Sequence, residues 1–171
     1  MALRAINSLK KPDPAAPPPP PPASEVLLGE IRESLAASRA ALEAAALLPR
    51  CHVSCDLASV LADCDIAVLC MSPQAIQHCG EDLKTQLPAS ATITDAGSVK
   101  ANIVETLEST FGGRFIGAHP MAGSEQSGIH AARADLYEGA TCILTPTAQS
   151  QAESLQNTRE LWIAAGCKVR E

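Results

Sequence analysis

Two short runs of the sequence combine titratable or hydrogen-bonding side chains with glycines, a mixture typical of ligand sites. The run GAHPMAGSEQSG occupies residues 117–128, directly after a strand-like segment, and the run DAGSVK occupies residues 95–100. The first contains His119, whose imidazole can accept a proton or a hydrogen bond from a hydroxyl group near neutral pH. The second contains Ser98. Polar side chains among glycines at the end of a strand indicate a site rather than a core.

Each run also has a purely structural interpretation, and the residues alone leave both open. Ser98 is a natural N-cap for a helix over 99–110, while Asp95 could simply end a strand. The first amides of such a helix would suit an anionic or polar ligand. His119 could be a local loop anchor, with its backbone held extended by the following proline. Glu125 could be an acid favoured by the dipole of a helix that begins at Ser127.

These residues must be positioned by an α/β fold, because short apolar runs alternate with amphipathic stretches. Strands are predicted at 52–54, 65–70, 91–94, 114–118, 141–144 and 168–170, and helices at 25–48, 57–62, 73–86, 99–110, 127–134 and 151–165. The predicted sheet is largely parallel, and the run IAVLC at 66–70 is apolar throughout, as in a strand buried on both faces. Ligands of such sheets bind at the carboxyl ends of the strands. Three polar segments are expected there: 71–73, 95–98 and the run that begins at 117.

Composition limits the partners of the chain. The net charge is −6 and aromatic residues make up 2%, so a nucleic-acid-binding surface with basic and stacking side chains is not expected. No apolar run is long enough to cross a membrane. The odd number of cysteines, seven, favours free thiols in a reducing compartment, so a cytoplasmic location is expected. Residues 1–11 are basic enough to leave organelle targeting open.

The amino-terminal part differs in composition from the rest. Residues 12–24 are proline-rich, with six consecutive prolines, which predicts a disordered tail over 1–24 and a folded domain over 25–171. A solvated tail is favoured over a ligand for SH3 or WW domains. Cys51, His52 and Cys55 form a cluster, but it lacks a second ligand pair at zinc-finger spacing, and no metal site is expected.

The two glycine-containing runs, in this order, closely resemble the prephenate/arogenate dehydrogenase family. The segments ADLYEG at 134–139 and ILTPT at 143–147 look like the next segments of that family, and the resemblance extends over about residues 40–171. It implies a Rossmann-like domain that binds NAD or NADP and a small-molecule substrate, prephenate or arogenate. The implied reaction is oxidative decarboxylation, a step of tyrosine biosynthesis.

The resemblance also assigns roles to individual residues. His119 would be catalytic and bond the ring hydroxyl of the substrate as hydride leaves, with Ser98 bonding the histidine or the substrate. Ser124 would line the substrate pocket and Glu125 would belong to its polar gate. The segment Ser72-Pro73, together with Gly97, would lie against the cofactor.

The sequence departs from the family at both ends. No G-x-G-x-x-G turn is present to hold a pyrophosphate, and the all-helical domain that follows in the family has no counterpart, so an incomplete Rossmann-like domain with weak or no turnover is expected. The alternative is a non-catalytic module that associates with another chain, or with its own copy as a homodimer, through an exposed sheet edge.

Overall fold

The structure, a computed structural model, describes Ser54, residues 56–123 and residues 129–171. These residues all belong to one structural unit, Ala37–Glu171. The predictions for the tail at 1–24 and the helix at 25–48 lie outside the described residues. So does most of the predicted strand at 52–54, of which only Ser54 is described, and Ser54 is not in a strand.

Ten helices and strands alternate along the described residues. In chain order they are α1 (Leu57–Leu61), β1 (Ile66–Leu69), α2 (Pro73–His78), α3 (Gly80–Gln86), β2 (Thr92–Asp95), α4 (Ala101–Phe111), β3 (Phe115–Pro120), β4 (Thr141–Thr145), α5 (Ala152–Ala164) and β5 (Lys168–Arg170). Short 3-10 turns lie at Gly112–Arg114 and Ile129–Ala131. The expected α/β, Rossmann-like class with a largely parallel sheet and flanking helices is confirmed.

The five strands form one sheet in the order β1-β2-β3-β4-β5. The pairings β1–β2, β2–β3 and β4–β5 are parallel, whereas β3–β4 is antiparallel. Strand β3 changes partner along its length: Phe115 and Ile116 pair with β2, and the segment from Gly117 to Pro120 pairs with β4. Beyond Ile116, therefore, no backbone ladder joins β2 to β3, and a gap opens between their carboxyl ends.

Helices cover both faces of the sheet. Successive side chains of a strand point to opposite faces, and β2 is buried at every position. Ile93 packs with Ile103 and Leu107 of α4 in one apolar cluster. On the other face, Thr92 Oγ1 donates a hydrogen bond to Ser154 Oγ of α5 at 3.4 Å. Because β2 is covered on both faces, each of its four residues is buried.

A second apolar cluster lies between α5 and the strands β3 to β5. It is formed by Ala118, Cys142, Leu144, Trp162 and Cys167, all buried. The ring of Trp162 meets Tyr137 edge-on, with centroids 5.4 Å apart and planes at 84°, a favoured aromatic geometry. This cluster supports the half of β3 that carries His119.

Two helix predictions are wrong. The helix expected at 73–86 is divided at Cys79 into α2 and α3, because Gly80, a poor helix former, packs closely on α4. A Cβ at Gly80 would lie 3.3 Å from Leu107 Cδ2. The helix expected at 127–134 is also wrong in its described part, where only the 3-10 turn Ile129–Ala131 forms.

Candidate functional site

The carboxyl ends of β1, β2 and β3 lie side by side, since these three strands are parallel neighbours. The three polar segments that follow them are therefore at one edge of the sheet, as expected from the sequence. Ala96 N donates a hydrogen bond to Leu69 O at 3.2 Å and continues the β1–β2 pairing to this edge. Ligands of open α/β sheets bind beyond the carboxyl ends of the strands, and the space beyond the ends of β2 and β3 is called the crevice.

A buried carboxylate fills the base of the gap between β2 and β3. Asp95 is fully buried and accepts three hydrogen bonds. Its Oδ1 accepts from Ala118 N of β3 at 3.1 Å. Its Oδ2 accepts from Gly97 N at 2.9 Å and from Lys100 Nζ, with which it forms an ion pair. A buried charge needs partners of this kind, because its loss of hydration is otherwise costly.

The Lys100 side chain reaches Asp95 by passing under β3. Its ammonium group is largely buried, with 15% of the side chain exposed. A Cβ placed on Gly117 would lie 3.5 Å from Lys100 Cδ and 3.1 Å from Val104 Cγ2. The lysine stem would thus be in ordinary van der Waals contact with a side chain at Gly117, whose overlaps would be with Thr145 Oγ1 and Val104.

Ser98 is exposed at the edge of the crevice. The prediction that it caps the following helix is wrong, because α4 begins at Ala101 with Lys100 in the N-cap position. The turn closed by Asp95 and Gly97 N, together with the recruitment of Lys100 to Asp95, leaves Ser98 outside the helix. Its hydroxyl makes no hydrogen bond with a described residue, so it is available to a ligand or to a neighbouring side chain.

His119 is in β3 and not in the loop after it. The strand was expected to end at residue 118, but it continues to Pro120 because pairing with β4 extends it. The extended backbone expected before the proline is observed. His119 lies opposite Ile143 of β4 and is partly buried. Within the described residues its ring has no hydrogen-bond partner, so its nitrogens can serve a ligand.

The thiol beside His119 is not a second reactive group. Burial, together with the neighbouring Cys167, raises the pKa of Cys142 to about 12, although the backbone of His119 favours the thiolate slightly. Cys70, at the carboxyl end of β1, is exposed, but partial burial and the charge of Asp95 raise its pKa as well. Both thiols therefore stay protonated near neutral pH, and the imidazole is the better acceptor at this edge.

Ser72 and Pro73 begin α2 directly after β1. Ser72 Oγ accepts a hydrogen bond from Ala75 N at 3.3 Å, and Pro73 occupies the first turn. Ser72 is thus a helix cap at the same edge of the sheet, a role that was not expected from its sequence. The other two expected site residues, Ser124 and Glu125, lie outside the described residues.

The sequence predicted Asp95 only as the end of a strand, and its role as a buried acceptor of three hydrogen bonds was missed. The spacing of an acid, a glycine two residues later and a lysine five residues later was the available signal, because an Asp often bonds the amide two residues on. Nothing local in the sequence signals the third partner, Ala118 N.

A metal site is not found within 56–123 and 129–171, where no group of three or more His, Cys, Asp or Glu side chains is arranged to hold one. The cluster of Cys51, His52 and Cys55 lies outside these ranges. Among the described helices, none has the length and apolarity needed to cross a membrane.

Comparison with known families matches residues 37–171 to the nucleotide-binding domain of prephenate dehydrogenase. The chain belongs to this family. The family expected from the two glycine-containing runs is thereby confirmed.

Members of the family with known structures have the same fold. The arogenate dehydrogenase of Synechocystis matches at a TM-score of 0.72 and 32% identity, covering 77% of this chain and 47% of that one. The A. aeolicus prephenate dehydrogenase, solved with hydroxyphenyl propionate and NAD+, matches at 0.71 and 33%, covering 76% and 46%.

A curated relative, the prephenate dehydrogenase of Lactococcus lactis, is 43% identical over 82 residues, which is 46% of this chain and 23% of the relative. The cyclohexadienyl dehydrogenase of Zymomonas mobilis is 28% identical over 119 residues and is covered to 41%. The chain thus spans less than half the length of these family members.

The described residues fit one side of a nicotinamide cofactor. Exposed apolar side chains follow each of the three parallel strands: Met71, Val99 and Met121. They belong to the segments at the carboxyl ends of the strands and are exposed there, as is the polar Ser98. A Cβ at Gly97 would lie 3.0 Å from Asp95 Oδ2, so the turn beside the crevice is built close to the sheet.

Proposed function

We propose that this chain contributes the histidine side of the catalytic centre of a dehydrogenase that oxidises and decarboxylates prephenate or arogenate with NAD+ or NADP+. The products are 4-hydroxyphenylpyruvate or tyrosine, respectively. The observation that carries the proposal is the common location of His119 and Ser98 at the crevice between β2 and β3, each with ring or hydroxyl unpaired among the described residues. The likeness to prephenate and arogenate dehydrogenases supports the choice of substrates.

The chemistry assigns a role to the imidazole. When hydride leaves the carbon that carries the ring hydroxyl, this hydroxyl becomes a carbonyl and gives up its proton, and the loss of carbon dioxide then makes the ring aromatic. His119 accepts the hydrogen bond from this hydroxyl and takes up the developing charge. Ser98 orients the histidine or the substrate from the adjacent turn. The bound nicotinamide supplies the hydride acceptor.

The remaining roles follow the family resemblance. The segment Ser72-Pro73 and Gly97 contact the cofactor at the carboxyl ends of β1 and β2. Ser124 lines the substrate pocket, and Glu125 forms part of its gate.

Turnover by the chain tests the proposal. Formation of NADH or NADPH is followed with prephenate and with arogenate for the unmodified chain and for His119→Asn, which keeps polarity but cannot exchange a proton. We expect a loss in kcat of roughly 10²–10⁴-fold in the variant. His78→Asn is the matched control, because His78 is exposed on α2 and bonds only its own helix, at Gln74 O. Equal rates in the unmodified chain and His119→Asn would refute the role of His119.

Ligand binding is tested separately, since the sequence contains no G-x-G-x-x-G turn and slow turnover is expected of the isolated chain. NAD+, NADP+ and hydroxyphenyl propionate are titrated into labelled protein, and amide resonances are recorded by NMR. We expect shifts at Gly97, Ser98 and His119 with the aromatic acid, and at Ser72 and Gly97 with the dinucleotide. No shift at any of these positions at millimolar ligand counts against a site at this edge.

A second candidate function, association without catalysis, is favoured by one observation. The outer edge of β1 has no strand partner among the described residues, and unpaired edges add strands from other chains. Size-exclusion chromatography with light scattering distinguishes the two: a dimer that is lost when proline replaces Val68 of β1, whose backbone N–H faces away from β2, supports association, and a monomer at high concentration counts against it.

A further inference from the structure

We infer that Asp95 is a positioning residue that holds the two proposed catalytic side chains in their relative places, with Lys100 as the ion-pair partner that orients its carboxylate. This inference rests on the proposed roles of His119 and Ser98. It assigns to the Asp95–Lys100 pair a contribution to the reaction that does not depend on direct contact with substrate or cofactor.

The argument begins with the gap in the sheet. The β2–β3 ladder ends at the Thr94–Ile116 pair, so backbone hydrogen bonds do not fix the separation of the two strands beyond that point. The next residue of β2 is Asp95, and its Oδ1 accepts from Ala118 N at 3.1 Å. A side chain therefore continues the connection where the backbone ladder has stopped.

The second step concerns which amides are held. Oδ1 binds the amide of Ala118, the residue immediately before His119, and Oδ2 binds the amide of Gly97 at 2.9 Å, the residue immediately before Ser98. One rigid group thus fixes the backbone that leads into each proposed catalytic residue. Misplacement of reacting groups by about 1 Å can cost roughly a hundredfold in rate.

The third step is the charge. Asp95 is fully buried, and Lys100 Nζ binds the same oxygen that accepts from Gly97. Hydrogen bonds to a carboxylate are stronger than those to a neutral acceptor. The lysine, in the N-cap position of α4, supplies the countercharge. The three donors come from β3, the β2–α4 turn and the start of α4, so the pair joins all three.

The test compares Asp95→Asn with Thr94→Val in the full chain, without ligand. Asparagine has nearly the same shape but only one acceptor oxygen, which the two donors Gly97 N and Lys100 Nζ favour on their side, so its NH2 group faces Ala118 N. Thr94 is the preceding residue of β2, is fully buried, and its Oγ1 has no hydrogen-bond partner among the described residues. Hydrogen exchange is measured at the amides of Gly97 and Ala118, with the amide of Thr92, which donates to Asp65 O at 2.9 Å on the β1 side of the sheet, as the internal reference.

We expect Asp95→Asn to accelerate exchange at Ala118 by at least about tenfold relative to the reference, and Thr94→Val to change exchange at neither Ala118 nor Gly97. The resonances of the His119 ring and of the Ser98 amide should move in Asp95→Asn and stay in Thr94→Val. Lys100→Met should reduce protection from exchange at the amides of Gly97 and Ala118. Lys100→Arg, which retains the charge, should keep that protection. Unchanged protection at Ala118 in Asp95→Asn overturns the inference.

A measurement on the unmodified chain covers the case in which Asp95→Asn does not fold. Scalar couplings across hydrogen bonds are recorded between the Asp95 carboxyl carbon and the amide nitrogens of Gly97 and Ala118. Coupling to both is expected, and coupling to neither overturns the inference.

Turnover then separates the inference from the proposed function. If Asp95→Asn lowers kcat for the substrate by roughly ten- to a hundredfold while the unmodified chain and Thr94→Val remain active, both stand. If the exchange changes as expected but His119→Asn has full activity, the proposed function fails and Asp95 is only a structural connection. If exchange changes but kcat does not, the positioning role is refuted while the role of His119 survives.

Discussion

Gly117 illustrates, at the scale of a single residue, how a missing side chain can be required by its neighbours. A Cβ there would overlap Thr145 Oγ1 and lie 3.1 Å from Val104 Cγ2. We expect Gly117→Ala to lower the free energy of unfolding by about 1–3 kcal/mol, the usual cost of overpacking. Urea denaturation measures it. Gly123→Ala is the matched control, since a Cβ at Gly123 meets no atom within 4 Å; equal effects of the two substitutions would contradict this explanation.

Thr94 buries a polar atom that gains no hydrogen bond in the folded state. Its Oγ1 has no partner among the described residues, so the hydroxyl has lost its hydration without replacement. We expect Thr94→Val to raise the free energy of unfolding by up to about 1 kcal/mol. Thr158 is also fully buried, but its Oγ1 donates to Ser154 O at 2.8 Å. Thr158→Val should therefore destabilise, and thermal denaturation of both variants should give shifts of opposite sign.

At the scale of elements, one side chain aligns the amino-terminal ends of β2 and β3. Arg114, directly before β3, donates from Nη1 to Pro88 O at 3.0 Å and to Ala91 O at 3.1 Å, in the segment that leads into β2. Its guanidinium also lies over the Phe111 ring, 5.8 Å from the centroid. These contacts fix the β2–β3 register at the end opposite to Asp95.

We expect Arg114→Met to lower the free energy of unfolding by about 1.5–3 kcal/mol, because two hydrogen bonds from a charged donor are lost, although Pro88 O keeps its bond from Ala91 N. Arg114→Lys keeps the charge but not the planar group and should recover only part of this loss. Chemical denaturation measures both. A full recovery in the lysine variant would mean that charge alone matters at this position.

The elements could be predicted where one short-range property determined them. The strands at β1, β2, β4 and β5 were expected within one or two residues, because short apolar runs bounded by turn residues specify them. The end of β3 was not, since Gly117 to Pro120 become a strand only through pairing with β4, which lies more than twenty residues later. Ser98 was expected to cap α4 because a serine before an apolar run is a strong local signal, whereas the turn at Gly97 N and the contact of Lys100 with Asp95 move the helix start to Ala101.

The candidate site, too, was predicted from the sequence only in part. His119, Ser98 and Ser72 were placed at one edge from strand order alone, since the carboxyl ends of parallel strands lie together. The contact that joins two of these segments, from Asp95 to Ala118 N, spans 23 positions in the sequence. Long-range contacts of this kind follow from the assembled sheet and have no local pattern.

At the scale of the whole molecule, the buried thiols determine how stability responds to alkaline pH. Burial raises the pKa of Cys142 from 9.0 to about 12, and burial also raises the pKa of Cys167. The folded state therefore keeps its proton where the unfolded state releases it. This contribution to stability is fully present below about pH 9 and is lost as the pH rises towards 12.

We expect the melting temperature to fall as the pH is raised from 9 to 11, and the fall to be shallower in Cys142→Val, which has a similar size and no proton to lose. Thermal denaturation at a series of pH values measures the slope, so that any constant cost of the substitution cancels. Cys70→Ser is the comparison, because the pKa of Cys70 is raised less than that of Cys142 and its removal should leave most of the fall in place. An unchanged slope in Cys142→Val would show that other groups, such as Tyr137, whose pKa burial also raises, determine the alkaline limit.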